Sequence, residues 1–222
     1  YARLAYSLRP DHIDALLLSA ELLEELGQFD LAIDAYKKVP RTDTASHAAE
    51  LGRAAALRSS GKSDAAIEVL AQLARRFPDM AIVHSTLGDA LRNQDEFVDA
   101  LASYDRALEL VPEGSRGRWF IHYARAIAHE RLDNWEQAEA DFRAALDLNP
   151  DHPQVLNYLG YSMVEKQINL AEALDMIERA VAARPDSGFI VDSLGWVLYR
   201  LGRYDEAVAH MERAVELMAV DP

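Results

Sequence analysis

Seven histidines, 37 acidic side chains and no cysteine make up the reactive inventory of this 222-residue chain. His122 and His129 are the pair whose spacing first suggests a metal site. They are seven residues apart on one predicted helix. That is about 10 Å along the axis, too far to share an ion. A zinc-protease helix needs histidines at i and i+4 with Glu beside the first, and His129-Glu130 is followed by Asp133 instead. Gly114-Ser115-Arg116-Gly117 lacks the spacing, the lysine and the preceding strand of a phosphate loop. No Gly-x-Ser-x-Gly occurs, and without cysteine there is no thiol nucleophile. Carboxylate pairs such as Glu24-Glu25 or Glu136 with Glu139 read as solvated helix faces, often with a base four residues on. The expectation is a non-enzymatic chain with no cofactor and no metal site.

The elements that carry these residues are set by a repeat. Half of the composition is hydrophobic, rich in Ala, Leu, Glu and Arg, with only ten glycines and eight prolines, so the prior is all-helical. Ala32, Ala66, Ala100, Ala138, Ala173 and Ala207 recur at gaps of 34, 34, 38, 35 and 34 residues. A second small residue precedes each of them: Ala20, Ala54, Gly88, Ala126, Gly160 and Gly195. A large residue follows four later: Tyr36, Leu70, Tyr104, Phe142, Ile177 and Met211. Small opposite large lets two helices approach closely. The second helix of five units is expected to begin near Phe29, Phe97, Trp135, Leu170 or Tyr204, whereas the remaining unit has Ser63 there. Pro78, Pro112, Pro150 and Pro185 close four units, and Pro40 falls early in the first. The Pro-Asp pairs at 10–11, 78–79, 150–151 and 185–186 stop one helix and offer an aspartate N-cap to the next.

The pattern resembles the tetratricopeptide repeat, a helix–turn–helix unit of about 34 residues. Ser193-Leu194-Gly195-Trp196-Val197-Leu198-Tyr199-Arg200-Leu201-Gly202-Arg203-Tyr204-Asp205-Glu206-Ala207 is close to that family's consensus. The final two repeats resemble those of bacterial members. The resemblance implies an all-α, right-handed solenoid of six repeats, with twelve helices and a partial N-terminal helix. Its units read as 11–44, 45–78, 79–112, 119–150, 151–185 and 186–222, in one continuous superhelical domain. Residues 1–10 read as the end of an upstream repeat and 113–118 as an exposed inter-repeat loop. The lead-in at Val220-Asp221-Pro222 suggests that the natural protein continues in both directions.

In this family the first helices line the concave face and the second helices the convex face. With the buried stripe at unit positions four, seven, eight and eleven, helical geometry turns positions two, five, nine, twelve and thirteen toward the groove. Repeats one and two are mostly small or charged there. Repeat three contributes Arg92 and Asn93. Repeats four to six contribute Phe120, Tyr123, Arg131, Asn157, Tyr161, Phe189, Asp192, Trp196, Tyr199 and Arg200. Aromatic rings and arginines are the usual anchors of interfaces, and Asn157 is suited to hold the backbone amides of an extended peptide. Phe120, Tyr123 and Phe189 read equally well as second-layer core, while Tyr161, Trp196 and Tyr199 favour the groove. The Lys/Asn/Arg clamp by which some family members hold acidic chaperone tails is absent.

The expected partner is therefore a protein or extended peptide. With a net charge of −14, nucleic acid is a poor partner, and no apolar run is long enough to span a membrane. Two alternatives stand beside the groove: a structural module that self-associates through open end repeats, and a recruiting arm of a larger enzyme. A bacterial cytoplasmic or envelope location suits the relatives; integral membrane insertion does not.

Overall fold

The computed structural model describes residues 12–220. The expected remnant helix over Tyr1 to Arg9, the closing Pro10 and the Asp221-Pro222 lead-in lie outside them. The described residues form twelve α-helices and no strand. They pair into six hairpins, divided between two compact units that meet at Pro112 and Glu113. The first unit holds α1 (Ile13–Glu25), α2 (Phe29–Tyr36), α3 (Ser46–Ser59), α4 (Ser63–Arg76), α5 (Ala81–Arg92) and α6 (Phe97–Leu110). The second holds α7 (Arg118–Arg131), α8 (Trp135–Leu148), α9 (Pro153–Lys166), α10 (Leu170–Ala183), α11 (Gly188–Arg200) and α12 (Tyr204–Val220).

The second helices begin at the expected residues: Phe29, Phe97, Trp135, Leu170 and Tyr204, with Ser63 opening α4. Prolines end them by acting on the residue before. Phe77, Val111, Asn149 and Arg184 all leave the helical region, with ψ between 66° and 126°. In repeat one α2 is only eight residues long, and its C-cap Lys37, three residues before Pro40, is still in the helical region.

Each hairpin turn is built alike. Gly27, Gly61, Asp95, Asp133, Gln167 and Gly202 take positive φ, between 56° and 79°. The next residue's N–H then bonds the carbonyl five residues back, as in Gln28 to Leu23 (2.8 Å), Asn134 to His129 (2.9 Å) and Arg203 to Leu198 (2.9 Å). This is the Schellman closure, which satisfies carbonyls that the helix end leaves unpaired. Repeat five uses it too, from Ile168 to Met163 (3.0 Å). Its one extra residue is absorbed by a second left-handed residue, Asn169, at φ 48°.

Between the helices of a hairpin, the small-against-large pairing is literal. A Cβ on Gly88 would lie 2.6 Å from the Tyr104 ring, one on Gly160 2.8 Å from Ile177 and one on Gly195 2.6 Å from Met211. In repeats one and three the ring's hydroxyl also returns to the first helix. Tyr36 donates to Glu24 (2.6 Å), and Tyr104 donates to Asp89 (2.7 Å). Burial pushes both phenols well above their ordinary pKa, and the carboxylate acceptors push them further.

The expected aspartate N-caps are corrected. The N-caps of α5, α9 and α11 are Met80, His152 and Ser187, each one residue further on, and none caps through its side chain. The turn after proline needs those residues before helical geometry begins. Asp79 and Asp151 instead pair with Arg106 and Arg179 of the second helix, both at 2.9 Å. The same arginines donate to the carbonyls of Pro78 and Pro150, and Arg213 does so to Pro185 at 2.9 Å. The Pro-Asp pair thus tethers the start of a repeat to its own second helix.

Candidate functional site

Ten of the expected groove residues lie in the second unit, on the first helices α7, α9 and α11. Arg92 and Asn93 lie in the first unit, at the end of α5. Arg92 is engaged inside its own hairpin, donating to Tyr104 Oη at 3.2 Å, and Asn93 forms the exposed C-cap.

A large apolar core positions the three helices. Phe142 of α8 is fully buried beneath Tyr123 and Tyr158, with ring centroids 6.1 and 5.4 Å away. Leu156, Leu159, Met163, Leu194 and Leu198 complete the floor. Behind it, α7 and α8 are locked by a polar cluster. Arg125 grips both oxygens of Asp141 at 2.7 Å, and His122 Nδ1 lies 2.8 Å from the same carboxylate. Burial alone pushes the Asp141 carboxyl up, but the hydrogen bonds from Arg125 and His122 outweigh it and hold it below the usual range. His122 is thus engaged in the packing of α7 against α8. No group of three or more potential metal-ligating side chains occurs among the described residues.

On the outer face, unit positions two and nine present exposed rings: Phe120, Phe189 and Tyr161 are 42%, 67% and 40% exposed. Tyr199 is exposed as well, stacked on the half-buried Trp196 at 5.5 Å and 14°. Trp196 Nε1 donates to Glu165 Oε1 at 2.6 Å, joining α11 to α9, and Arg200 lies over the indole face at 5.6 Å. Asp192 and Arg131 are exposed.

Position five differs from expectation in repeats three to five, though not at Asp192 of repeat six. Asn157 and Ser85 are buried and Tyr123 is half-buried. Position five precedes position eight by three residues, an offset of only about 60° around the helix, so it borders the buried stripe. Of the two readings for Phe120, Tyr123 and Phe189, Tyr123 joins the core while the other two point outward.

Two hollows open between these residues. One, of about 240 Å³, is bounded by Glu130, Asn157, Tyr158, Tyr161, Glu165 and Phe189. The other, of about 140 Å³, lies among Tyr123, Asn157, Tyr158, Arg184, Phe189 and Ile190. Asn157 lines both, is 2% exposed, and its Oδ1 has no hydrogen-bond partner. An unmet buried acceptor costs about 1–3 kcal/mol. The Glu165–Trp196 bond spans 31 residues of sequence and left no local signal; the Asp141 cluster was hidden among many similar carboxylates.

These repeating hairpins define an all-α helical-repeat protein. Tetratricopeptide repeat models match residues 51–115 and 123–188, and further models of that family match 14–42 and 192–218. The chain belongs to the tetratricopeptide repeat family. A TPR repeat-containing protein of Pseudomonas aeruginosa is 29% identical over 197 residues, covering 88% of this chain. This chain spans only 32% of that relative's length. Among solved structures, PilF of Pseudomonas aeruginosa has a TM-score of 0.77 at 15% identity, over 91% of this chain and 90% of that one. YrrB, described as a TPR protein with an unusual peptide-binding site, has a TM-score of 0.63 at 18% identity, over 86% and 95%. No helix among the described residues is long and apolar enough to cross a membrane.

Proposed function

We propose that the second unit captures a partner protein through an extended peptide segment laid across α7, α9 and α11. The row of rings Tyr161, Phe189, Trp196 and Tyr199 beside two hollows carries the reading. Exposed aromatic side chains held by neighbours lose little entropy on binding and bury large areas. Trp196 is held in place by Glu165 and Tyr199 before any partner arrives. The Asn157 amide, unsatisfied in the free protein, gains a backbone N–H from the peptide, and the hollows receive its side chains. Described peptide binding by a protein of the same fold is consistent with this use.

The test is capture of partners from native lysate by wild type, Trp196→Ala and Tyr161→Ala side by side. Both variants are expected to lose about tenfold or more in affinity, equivalent to ~1.4 kcal/mol, with the helical circular dichroism spectrum intact. Undiminished capture by both would sink the proposal.

A second reading rests on α12, where Val208, Val215 and Met218 are exposed. An apolar stripe on an end helix is the surface against which another repeat, copy or subunit stacks. Light scattering at high concentration is then expected to show concentration-dependent association. A strict monomer counts against it.

A further inference from the structure

The larger hollow, between α9 and α11, has a chemical bias. Its polar rim includes the carboxylates of Glu130 and Glu165, and its walls include the rings of Tyr158, Tyr161 and Phe189. Asp192 stands one turn beyond Phe189 on α11, outside the lining of the hollow. Burial raises the Tyr161 phenol above its ordinary pKa, and the charges of Glu165 and Asp192 raise it further, placing both carboxylates within its electrostatic reach. Among the described residues no lysine or arginine lines this hollow. Nearby bases have partners of their own: Lys166 pairs with Asp133 at 3.1 Å, Arg184 faces Asp186 at 3.5 Å, and Arg200 lies over Trp196. The acceptor of Asn157 at the floor is buried and has no protein hydrogen-bond partner.

We propose that this hollow selects a lysine or arginine side chain of the captured segment, so that the partner carries a basic residue at this point. The inference rests on the peptide-binding reading and narrows it. An acidic side chain would meet like charge from Glu130 and Glu165. An apolar one would cover Glu130 and Glu165 without returning a counter-charge, which is costly. A cation instead finds carboxylates at the rim and the electron-rich faces of aromatic rings at the walls. Asn157 Oδ1 takes the peptide N–H, and the rim reads the side chain. The net charge of −14 favours the approach of such a segment at long range.

The probe is a library of nine-residue peptides, degenerate except for a central Lys, Arg, Leu or Glu, presented to the full 222-residue chain. Retention of the Lys and Arg pools is expected to exceed that of the Leu and Glu pools by about tenfold. Glu130→Gln with Asp192→Asn is expected to bring the Lys and Arg pools down towards the Leu pool, with the circular dichroism spectrum intact. Raised ionic strength should weaken the basic pools selectively. Retention without a basic preference overturns this inference and leaves the groove standing. Retention of no pool overturns the groove as well.

Discussion

Replacing Phe142 with alanine is expected to destabilise the second unit by about 3–5 kcal/mol, the cost of removing a fully buried ring from a core that cannot collapse around the loss. Phe142 is 0% exposed and lies under Tyr123 and Tyr158, which belong to different repeats. Its removal therefore loosens the packing of repeat four and the floor on which repeat five rests. The three tryptophans, Trp119, Trp135 and Trp196, all fall after residue 112. Indole fluorescence during urea unfolding thus reports on the second unit alone, while circular dichroism follows the whole chain. The fluorescence transition is expected to move to lower urea. Phe142→Leu, which keeps much of the volume, should lose less. A shift below about 1 kcal/mol would mean that the ring is not the keystone its burial implies.

Asp141→Ala is expected to have the next largest effect, about 3 kcal/mol, because it strands the Arg125 guanidinium in a largely buried setting. Arg125 and His122 side chains are 22% and 13% exposed and Asp141 is 7% exposed, so water cannot readily replace the carboxylate. Replacing Arg125 by Met and Asp141 by Leu together should be milder than Asp141→Ala alone, since no charge is left behind. The pH dependence has a definite sign. The carboxyl is held below its ordinary value of 3.8 in the folded protein. Its contribution is therefore complete above about pH 4, the unfolded value, and disappears as the pH falls through the lower folded value. Wild type and Asp141→Ala should converge in stability on acidification below about pH 4. A constant gap between them down to pH 2, near the floor for hydrogen-bonded carboxylates, would show that Asp141 acts through packing alone.

Adjacent in sequence, Phe142 and Asp141 show how unevenly the fold was legible. Phe142 stands four residues after Ala138, in register with Tyr104 and Ile177, and its burial follows from the repeat. Asp141 stands on the same helix as Glu136 and Glu139 and looks no different from them in the letters. Only the arrival of Arg125 and His122 from α7 separates it from a solvated face. The Pro-Asp pairs were misread for a related reason. Proline dictates where a helix ends, but the letters do not show that Asp79 and Asp151 are drawn to Arg106 and Arg179 of the second helix instead of capping the first. Within the site, the exposure of Tyr161 and Tyr199 was legible because helical spacing alone turns them outward, whereas spacing left Phe189 open between groove and core. The burial of Asn157, the bond between Glu165 and Trp196 and the depth of the hollows were not. They arise between helices about 30 residues apart, where spacing along one helix carries no information.

The common left-handed closure of the six turns bears on how such a chain can be rewritten. Because glycine, aspartate and glutamine all support the same path there, the turns act as interchangeable splice points. A genetic crossover placed inside them joins the first helix of one repeat to the second helix of another without changing the geometry of the joint. The extra residue at Asn169 makes repeat five the exception, since a splice there carries its own correction and must be exchanged whole. The main-chain joint is then conserved, and the pairs inside each hairpin, such as Gly88 under Tyr104 and Arg125 on Asp141, decide which first and second helices can be exchanged.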